Sequence, residues 1–320
     1  MAKFDKIIVL SNGTEWCRYC WKGALNKYPI TFYNNQLPVK SKKKDDFLQK
    51  LFLRFSFLRP LLSILFYILL GIKKNEKTLV IVYDWNILTK DPSFMRRIRK
   101  NCKLVYLFSN IVKITGATKY NILNTLKDEY DMIFAFDKED SEKYGFNYHR
   151  LIYEKPQNLD NQDIRYDLFY VGQAKDRLGK LLEIFEKAES CGLKCDFHIV
   201  GVPENQQKHS DKIEYNVNMP YEEAVKHICS SRCLVDAIQG ESTGLTIKTC
   251  EAVVFNKKLI TTNEHVKSEQ FYNPSDILIY DEQNNNLDLF LKNGDTEYTE
   301  NDRYVFSVES LLNSIYKEME

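Results

Sequence analysis

Two basic residues follow a strand-like run in the second half of the sequence. Gly172 follows the strand-like run 167–171, and Gln173, Lys175 and Arg177 come before a helical pattern begins. Two cations beside a helix N-terminus suit a phosphate or a diphosphate, because their charges add to the free N–H groups and the dipole of the helix. The spacing matches neither the Walker lysine loop nor the G-x-G-x-x-G dinucleotide motif. A solvated surface loop is the alternative interpretation.

A second loop, around Gly244, has the same character. Gly244 precedes a helical pattern that starts near Leu245, and the free N–H groups at such a start can hold a diphosphate. Lys248 and Glu251 follow within two turns and share one helical face with Gly244. A carboxylate two turns below a phosphate site can accept both hydroxyls of a ribose. Alternatively, Lys248 and Glu251 form an ion pair on the helix surface.

Two carboxylates in the first half also follow strand-like runs. Asp84 comes directly after the run 79–83, and Glu15 follows the run 6–10 and a short loop. A carboxylate at the end of a parallel strand can act as a general base that deprotonates a hydroxyl nucleophile. A contact to a bound substrate and an ordinary polar loop position remain alternatives for both residues.

The histidines show no metal-binding pattern, and one pair of cysteines has a spacing found in zinc and redox sites. Cys17 and Cys20 form a C-x-x-C pair, but a structural zinc site needs two further ligands at matching spacing. We therefore predict ordinary thiols and no metal cofactor. His198 lies in an apolar run, which favours a buried histidine with satisfied hydrogen bonds.

Short apolar runs alternate with amphipathic stretches of helix length along the chain. The runs are rich in β-branched and aromatic residues and lack polar alternation, as do strands buried on both faces of a parallel sheet. Such alternation predicts βαβ units in doubly wound sheets. The predicted strands are residues 6–10, 79–83, 103–108, 132–136, 167–171, 196–200, 233–237, 258–261 and 277–280.

A polar segment separates the predicted strands into two groups. Residues 153–165 contain Pro156 and lack apolar periodicity, which is typical of a linker between domains. We therefore predict an α/β protein with two Rossmann-like domains, residues 1–155 and 156–300, and a C-terminal helix within 301–320. Because ligands of such sheets bind at the carboxyl ends of the strands, we expect the domains to face each other across a ligand-binding cleft.

The composition excludes several classes of protein. Of the 320 residues, 44% are hydrophobic and 28% are charged, unlike a disordered chain or a polytopic membrane protein. Lys and Arg number 45 and Asp and Glu number 44. Nucleic-acid-binding proteins usually carry a basic surplus, so we predict no nucleic-acid partner. The first ten residues lack the features of a secretory signal, which favours a reduced, cytoplasmic protein.

Residues 40–74 break the alternating pattern. Basic residues stand at both ends of this segment, and residues 60–72 are almost entirely apolar. That run is too short to cross the hydrocarbon core of a bilayer, which takes about 20 residues. A segment of this kind can lie in the interface of an anionic leaflet, so we predict peripheral contact with the inner face of the cell membrane. A buried core helix is the alternative.

Together these motifs resemble the GT-B glycosyltransferases of bacterial capsule and lipopolysaccharide (O-antigen) biosynthesis. In that family a Tyr-Asp-x-Phe-x-Val-Gly strand precedes a basic loop, as residues 166–177 do here. A Gly-Leu-Thr helix start with Glu seven residues after the Gly matches residues 244–251, and a Lys-Leu-Ile-Thr strand matches residues 258–261. The similarity runs over residues 78–282.

The resemblance implies a GT-B fold and transfer of a hexosyl group from a nucleoside-diphosphate sugar. It implies a glycan or lipid-linked acceptor held by the N-terminal domain, a role in surface polysaccharide biosynthesis, and no metal. The catalytic residues that we predict are Lys175, Arg177 and Asp84. The donor-binding residues that we predict are Gly172, Gln173, Lys175, Arg177, Gly244, Leu245, Thr246, Lys248 and Glu251.

The proposed chemistry follows from charge. The departing diphosphate gains negative charge as the sugar–phosphate bond breaks, and Lys175, Arg177 and the N–H groups near Gly244 would stabilise that charge. The chain departs from the family at Thr243, where retaining members carry a second Glu, and at Lys248, where many carry Arg. The stereochemistry of transfer is therefore left open.

Two other classes fit the same architecture. A nucleotide-sugar 2-epimerase also has two Rossmann-like domains, but it needs several acid–base residues around one sugar. A non-catalytic subunit could bind a nucleotide sugar and act as a scaffold for a partner transferase. Hydrolysis of a donor would exclude the scaffold, and interconversion of free sugar nucleotides without an acceptor would reveal the epimerase.

Overall fold

The computed structural model describes residues 4–35, 37–39, 41–115, 122–156, 163–240, 243–281 and 286–319. The chain forms two compact units. The first contains Met1–Pro156 and Val308–Glu320, and the second contains Gln157–Ser307. Residues 157–162 of the predicted linker lie outside the described part of the chain.

A six-stranded parallel sheet forms the centre of the first unit. Its strand order is β2-β1-β3-β4-β5-β6. From the neighbours β1 and β3 the chain continues to β2 on one side and to β4 on the other. The topological switch point of this sheet therefore lies between β1 and β3. The strands are β1 (Lys6–Leu10), β2 (Ile30–Tyr33), β3 (Thr78–Tyr83), β4 (Lys103–Leu107), β5 (Met132–Ala135) and β6 (Asn147–Tyr148).

Helices cover this sheet and bury its apolar side chains. Val80 and Val82 of β3 are fully buried in one cluster with Phe66 and Phe94, whose ring centroids lie 6.5 Å apart. Burial of both strand faces explains why β3 is a continuous apolar run. The described helices before the linker are α1 (Glu15–Lys22), α2 (Lys42–Arg54), α3 (Arg59–Leu70), α4 (Pro92–Arg99), α5 (Ile122–Glu129) and α6 (Lys138–Tyr144).

The second unit repeats this architecture with a different strand order. Its six-stranded parallel sheet has the order β12-β11-β10-β7-β8-β9, so its switch point lies between β7 and β10. The strands are β7 (Tyr166–Gln173), β8 (Cys195–Val200), β9 (Ile213–Tyr215), β10 (Ser231–Asp236), β11 (Lys258–Thr261) and β12 (Ile277–Ile279). The helices are α7 (Leu178–Ser190), α8 (Tyr221–Cys229), α9 (Ile247–Val254), α10 (Leu287–Lys292) and α11 (Glu300–Tyr304).

The last helix, α12 (Val308–Met319), belongs to the first unit. The sequence predicts one C-terminal helix within residues 301–320, whereas the structure has a break between α11 and α12. The break lies where the chain leaves the second unit for the first. Tyr316 of α12 stacks on Phe4 with 5.4 Å between ring centroids, and its hydroxyl accepts a hydrogen bond from the Phe4 N–H.

His149 also fixes α12 to the first unit. Its Nδ1–H donates to the Arg150 carbonyl at 2.7 Å, and its Nε2 accepts from the Ser310 hydroxyl at 3.2 Å. In the neutral imidazole the proton is on Nδ1, because the carbonyl oxygen can only accept, and Nε2 is then the acceptor. Burial lowers the pKa of His149 to about 4, although the hydrogen bond to Arg150 opposes that shift.

We expect the first unit to lose stability as the pH falls from about 6.5 to about 4. In that window the unfolded chain binds a proton at His149 and the folded chain does not, which costs about 3 kcal/mol at the lower end. Hydrogen exchange of β3 to β5 at pH 7 and pH 5 measures the change, with His149→Gln as the control. An equal pH dependence in wild type and variant would contradict the assignment.

The predicted α/β fold of two Rossmann-like domains is confirmed. Each predicted strand is present, with small shifts at its ends. Three edge strands, β2, β6 and β9, are not among the strands predicted from the sequence. An edge strand packs on one side only, so its residues need not form an apolar run. β6 has two residues, and β9 carries the exposed Glu214 at its centre.

Candidate active site

Two loops meet at the carboxyl edge of the second sheet. The β7 loop comprises residues 173–177, and the β10 loop comprises residues 237–240. Because β7 and β10 are parallel neighbours, their carboxyl ends lie side by side. The two loops therefore stand at the topological switch point, where sheets of this type bind ligands.

Lys175 stands at the tip of the β7 loop with a left-handed backbone, φ 46°. Its ammonium donates to Gln239 Oε1 of the β10 loop at 2.6 Å. Beside it, Asp176 Oδ2 accepts from the Gly240 N–H at 3.0 Å. Partial burial, and then the charge of Arg177, lower the pKa of Lys175. Because an ammonium has three donors, Lys175 can bind a phosphate oxygen while it keeps its bond to Gln239.

Arg177 ties the two loops together. Its Nη1 donates to the Ala237 carbonyl of the β10 loop at 2.7 Å, and its Nη2 donates to the Gln173 carbonyl of the β7 loop at 2.7 Å. Its Nε is buried and has no partner within the described residues. Asp236, the last residue of β10, is buried close enough for the two charges to interact. Arg177 thus fixes the loop geometry around Lys175.

Gly172 and Gln173 are the last two residues of β7. A Cβ on Gly172 would lie 2.9 Å from the Tyr170 hydroxyl oxygen. That hydroxyl donates to the Gln173 carbonyl at 3.3 Å, the same carbonyl that Arg177 contacts. Gly172 therefore makes room for the Tyr170 side chain that supports the loop. The side chain of Gln173 is exposed at the carboxyl edge.

The helix after Gly244 begins later than the sequence pattern predicts. Leu245 is buried, and Thr246 is the N-cap of α9. The Thr246 hydroxyl accepts from the N–H groups of Lys248 at 3.1 Å and Thr249 at 3.4 Å. The Thr246 hydroxyl thus already accepts from these two N–H groups. An anion at this helix start would therefore bind to N–H groups that precede Lys248 in the chain.

Glu251 is fully buried, with 0% of its surface exposed. One carboxylate oxygen accepts from the Tyr221 hydroxyl of α8, and the other accepts from Lys248 Nζ at 2.7 Å. The Lys248 ammonium lies 5.7 Å from the centroid of the Phe169 ring. The ion pair that the sequence offered as an alternative is thus present, but it is buried and does not lie on the helix surface. The ribose-binding role of Glu251 stays a prediction.

Three partners of the site escaped the sequence analysis: Asp236, Gln239 and Tyr221. Asp236 accepts from the Thr261 hydroxyl at 3.0 Å, and burial raises its pKa. A carboxylate that ends an otherwise apolar strand is a signal that could have identified Asp236. Gln239 and Tyr221 carry no comparable signal, because their partners are remote in sequence.

In the first unit, Asp84 directly follows β3 and is completely buried. Its carboxylate accepts from the N–H and hydroxyl of Ser109 and from the N–H and side-chain amide of Asn110. Burial raises the pKa of Asp84, and these hydrogen bonds oppose the shift. Asp84 thus holds the loop after β4, whereas Glu15 is exposed in the first turn of α1. The catalytic role of Asp84 stays a prediction.

The segment 41–74 has a buried and an exposed face. Phe52 and Phe66 are fully buried and pack together with 6.2 Å between ring centroids. Large apolar side chains on the other face are exposed: Phe47 62%, Leu53 48%, Phe57 73%, Leu61 66%, Ile64 44%, Leu65 41%, Ile68 66% and Leu69 42%. We call these eight residues the α2–α3 face.

No single helix in the described ranges has the length and hydropathy to span a membrane. The helical segments 42–54 and 56–70 have the length and hydropathy of a membrane span only when they are taken together, and the chain bends by 111° between them. Lys40, the first residue of the predicted membrane-contact segment, lies outside the described residues.

A cluster of Asp196, His198 and His227 joins β8 to α8. Asp196 lies 2.8 Å from His198 Nε2 and 2.6 Å from His227 Nδ1, while His198 Nδ1 lies 2.9 Å from Glu214. Burial would lower the pKa of His198, but the bonds and charges of Asp196 and Glu214 outweigh it and raise the pKa. Ligand-type atoms of the three residues lie within 4.8 Å of one another. Hydrogen bonds already use them, and the absence of a metal cofactor stays a prediction.

Cys17 and Cys20 are fully buried in α1. Burial raises the pKa of Cys17 well above its usual value, which favours the neutral thiol over the thiolate that binds metals. That both are ordinary thiols stays a prediction.

Comparison with solved structures places this geometry in a known fold. An α-glucosyltransferase solved with UDP and a 13-mer DNA containing a HMU base is 10% identical, with a TM-score of 0.56, and the match covers 99% of each chain. The fold is GT-B. TarM is 13% identical with a TM-score of 0.46, and the match covers 79% of this chain and 56% of TarM.

The UDP-GlcNAc 2-epimerase of Methanocaldococcus jannaschii, solved with UDP-GlcNAc and UDP, is also similar. It is 13% identical with a TM-score of 0.47, and the match covers 96% of this chain and 99% of the epimerase. No family model matches the sequence, and no curated protein matches it. At these identities the likeness concerns the fold alone.

Proposed function

We propose that the protein is a glycosyltransferase that moves a sugar from a nucleoside-diphosphate sugar to a glycan or lipid-linked acceptor. We place it in surface polysaccharide biosynthesis, which the sequence resemblance to capsule and lipopolysaccharide enzymes supports. The observation that carries the proposal is the junction of the β7 and β10 loops at a switch point, with Lys175 at its tip. The GT-B fold adds support, since an α-glucosyltransferase solved with UDP shares it.

The mechanism rests on stabilising the leaving group. As the sugar–phosphate bond breaks, negative charge grows on the diphosphate, and a preorganised ammonium stabilises the transition state more than the bound donor. Lys175 supplies that charge, while Arg177 holds both loops in place through the Gln173 and Ala237 carbonyls. N–H groups near Gly244 add to the positive potential.

The acceptor hydroxyl must lose a proton. Asp84 has no exposed surface, and its oxygens already accept four hydrogen bonds from Ser109 and Asn110. We therefore propose that Asp84 positions the loop after β4, in place of the catalytic role that the sequence predicts. The exposed carboxylate of Glu15 is better placed to take a proton.

A panel of sugar nucleotides tests the proposal against both alternatives. UDP-, GDP-, ADP- and dTDP-sugars are incubated with the protein, and binding, hydrolysis and interconversion are measured without an acceptor. Slow hydrolysis of one donor supports the transferase. Interconversion of free sugar nucleotides would replace it with the epimerase, and binding without any turnover would favour the scaffold.

We further propose that the α2–α3 face docks onto an anionic lipid surface. Apolar side chains on this face are exposed, with Phe57 at 73%. The same segment exposes the basic residues Lys42, Lys43, Lys44, Lys50, Arg54, Lys73 and Lys74. Apolar and basic groups together suit the boundary between acyl chains and anionic headgroups. A lipid-linked acceptor would be held at the same surface.

Vesicle sedimentation should show salt-sensitive binding to vesicles of mixed phosphatidylserine and phosphatidylcholine, and weaker binding to pure phosphatidylcholine. Replacing Phe57, Leu61 and Ile68 with serine should weaken binding at least about tenfold, since each buried apolar side chain contributes roughly 1.5–3 kcal/mol. Leu289→Ser is the matched control, because Leu289 is 58% exposed in the other unit. Unchanged binding of the triple variant would refute the docking surface.

A further inference from the structure

Trp85 has an unusual backbone at the carboxyl end of β3. Its φ is 66°, in the left-handed region that bulky L-residues rarely adopt. Its side chain is 55% exposed, whereas Asp84 and Asn86 on either side are 0% exposed. The chain therefore holds a large aromatic side chain in solvent between two anchored residues.

Hydrogen bonds of the two neighbouring residues, Asp84 and Asn86, hold Trp85 in this strained backbone conformation. Asp84 is bound by Ser109 and Asn110 of the loop after β4. Asn86 Nδ2 donates to the Ser11 carbonyl at 2.6 Å, and Asn86 Oδ1 accepts from the Leu88 N–H at 3.0 Å. Strained residues persist where the surroundings fix them, and such residues cluster at ligand sites.

Trp85 lies at a position where sheets of this type bind ligands. Trp85 follows β3, and Ser11 follows β1, the two strands at the topological switch point of the first sheet. Ligands of doubly wound sheets bind at that point. Neutral polar groups lie at the same edge: the Asn12 amide approaches the Ser109 hydroxyl at 3.4 Å, and the Thr14 hydroxyl donates to Asn12 at 2.6 Å.

We propose that Trp85 is a stacking platform for one sugar ring of the acceptor, an inference that rests on the proposed glycosyl transfer. The indole offers a wide, rigid apolar face. A sugar ring has an apolar C–H face and hydroxyls along its rim. The hydroxyls and amides of residues 12, 14 and 110 suit that rim, because they both donate and accept hydrogen bonds. Uncharged groups of this kind favour a neutral sugar over a phosphate-bearing ligand.

Two variants of Trp85 test the platform. Wild type, Trp85→Asn and Trp85→Phe are applied to an array of bacterial surface oligosaccharides, with Tyr304→Asn as the control at an exposed aromatic residue of the other unit. We expect binding of at least one glycan to fall tenfold or more in Trp85→Asn and to recover in part in Trp85→Phe. Trp85→Asn should melt no lower than wild type, because Asn tolerates the left-handed backbone.

Several outcomes would overturn the inference. They are the absence of any glycan binding by wild type, equal glycan binding by wild type and Trp85→Asn, and a lower melting temperature of Trp85→Asn. Loss of UMP binding in Trp85→Asn would assign the platform to a nucleobase instead. Titration of UDP, GDP, ADP and dTDP into the same proteins tests the donor site separately. If none of the four binds wild type while glycan binding depends on Trp85, the proposed transferase fails and the platform remains.

Discussion

Replacing Lys175 with alanine is expected to lower donor turnover about 100-fold, the effect of removing one preorganised donor from a developing anion. Binding of the nucleoside diphosphate should weaken less, by about tenfold at most, since the charge on the leaving group grows only as the bond breaks. The fold should be unchanged, because the Lys175 ammonium is exposed and bonds only to the Gln239 amide oxygen in the described structure. Turnover is measured with the sugar nucleotide that the donor panel identifies.

The controls for this variant separate local from general charge effects. Lys267→Ala removes an exposed lysine of the same unit, 51% exposed, and should change neither turnover nor binding. Lys175→Arg keeps the charge and should retain part of the turnover. If Lys175→Ala turns over the donor as fast as wild type, the junction of the β7 and β10 loops is not the leaving-group site.

Arg177 would be a less decisive target. Its guanidinium donates to the Gln173 and Ala237 carbonyls, so its loss would disturb both loops. A fall in turnover after Arg177→Ala could therefore come from displaced loops as well as from lost charge. Lys175 avoids this ambiguity because it extends from the tip of the β7 loop.

The central strands could be predicted from sequence because both of their faces are buried. β3 is buried at every position, so its residues form an uninterrupted apolar run. β2 is half-buried throughout, and β6 has only two residues, so neither has a comparable signal. The order of the strands could not be predicted from the sequence, since it depends on which strands become neighbours in the folded sheet. The switch points, where sheets of this type bind ligands, could be located only once the order of the strands was known.

Candidate residues for a donor site were easier to choose from the sequence than their contacts. Residue types and a helix start led to Lys175, Arg177 and Glu251 as candidates, and their roles stay predictions. Their partners were missed because the chain brings them from far away: Gln239 lies 64 residues from Lys175, and Tyr221 lies 30 residues from Glu251. A single sequence does not reveal which distant polar residues meet. The missed contacts matter most for Glu251, whose carboxylate is buried between its partners.

For the apolar residues 60–72, the sequence could not predict which side chains are buried. From composition alone, residues 60–72 fit both a core helix and a membrane-contact helix. The structure divides the side chains between the core and the exposed surface: Phe66 and Leu70 are buried, whereas Leu61 and Ile68 are each 66% exposed. Periodicity could not assign the faces, because apolar residues occupy almost every position of the helix.

Replacing Glu251 with alanine is expected to destabilise the second unit by about 3–5 kcal/mol, because it leaves the buried ammonium of Lys248 without its carboxylate. The Tyr221 hydroxyl loses its acceptor at the same time. Hydrogen exchange of β10 and β11, which adjoin α9, measures the loss. If Glu251→Ala is as stable as wild type, the buried ion pair does not form.

A double variant separates this structural effect from ribose binding. Lys248→Met with Glu251→Leu replaces the ion pair by apolar side chains of similar volume, which is often neutral or stabilising. Once that protein is shown to be folded, UDP is titrated into it and into wild type. An affinity about ten- to hundred-fold lower would place the Lys248–Glu251 pair in the donor site, since a hydrogen bond to a charged group contributes about 1.5–3 kcal/mol. Equal affinities would leave Glu251 the role of joining α8 to α9, and the donor site would then consist of the β7 and β10 loops and the start of α9.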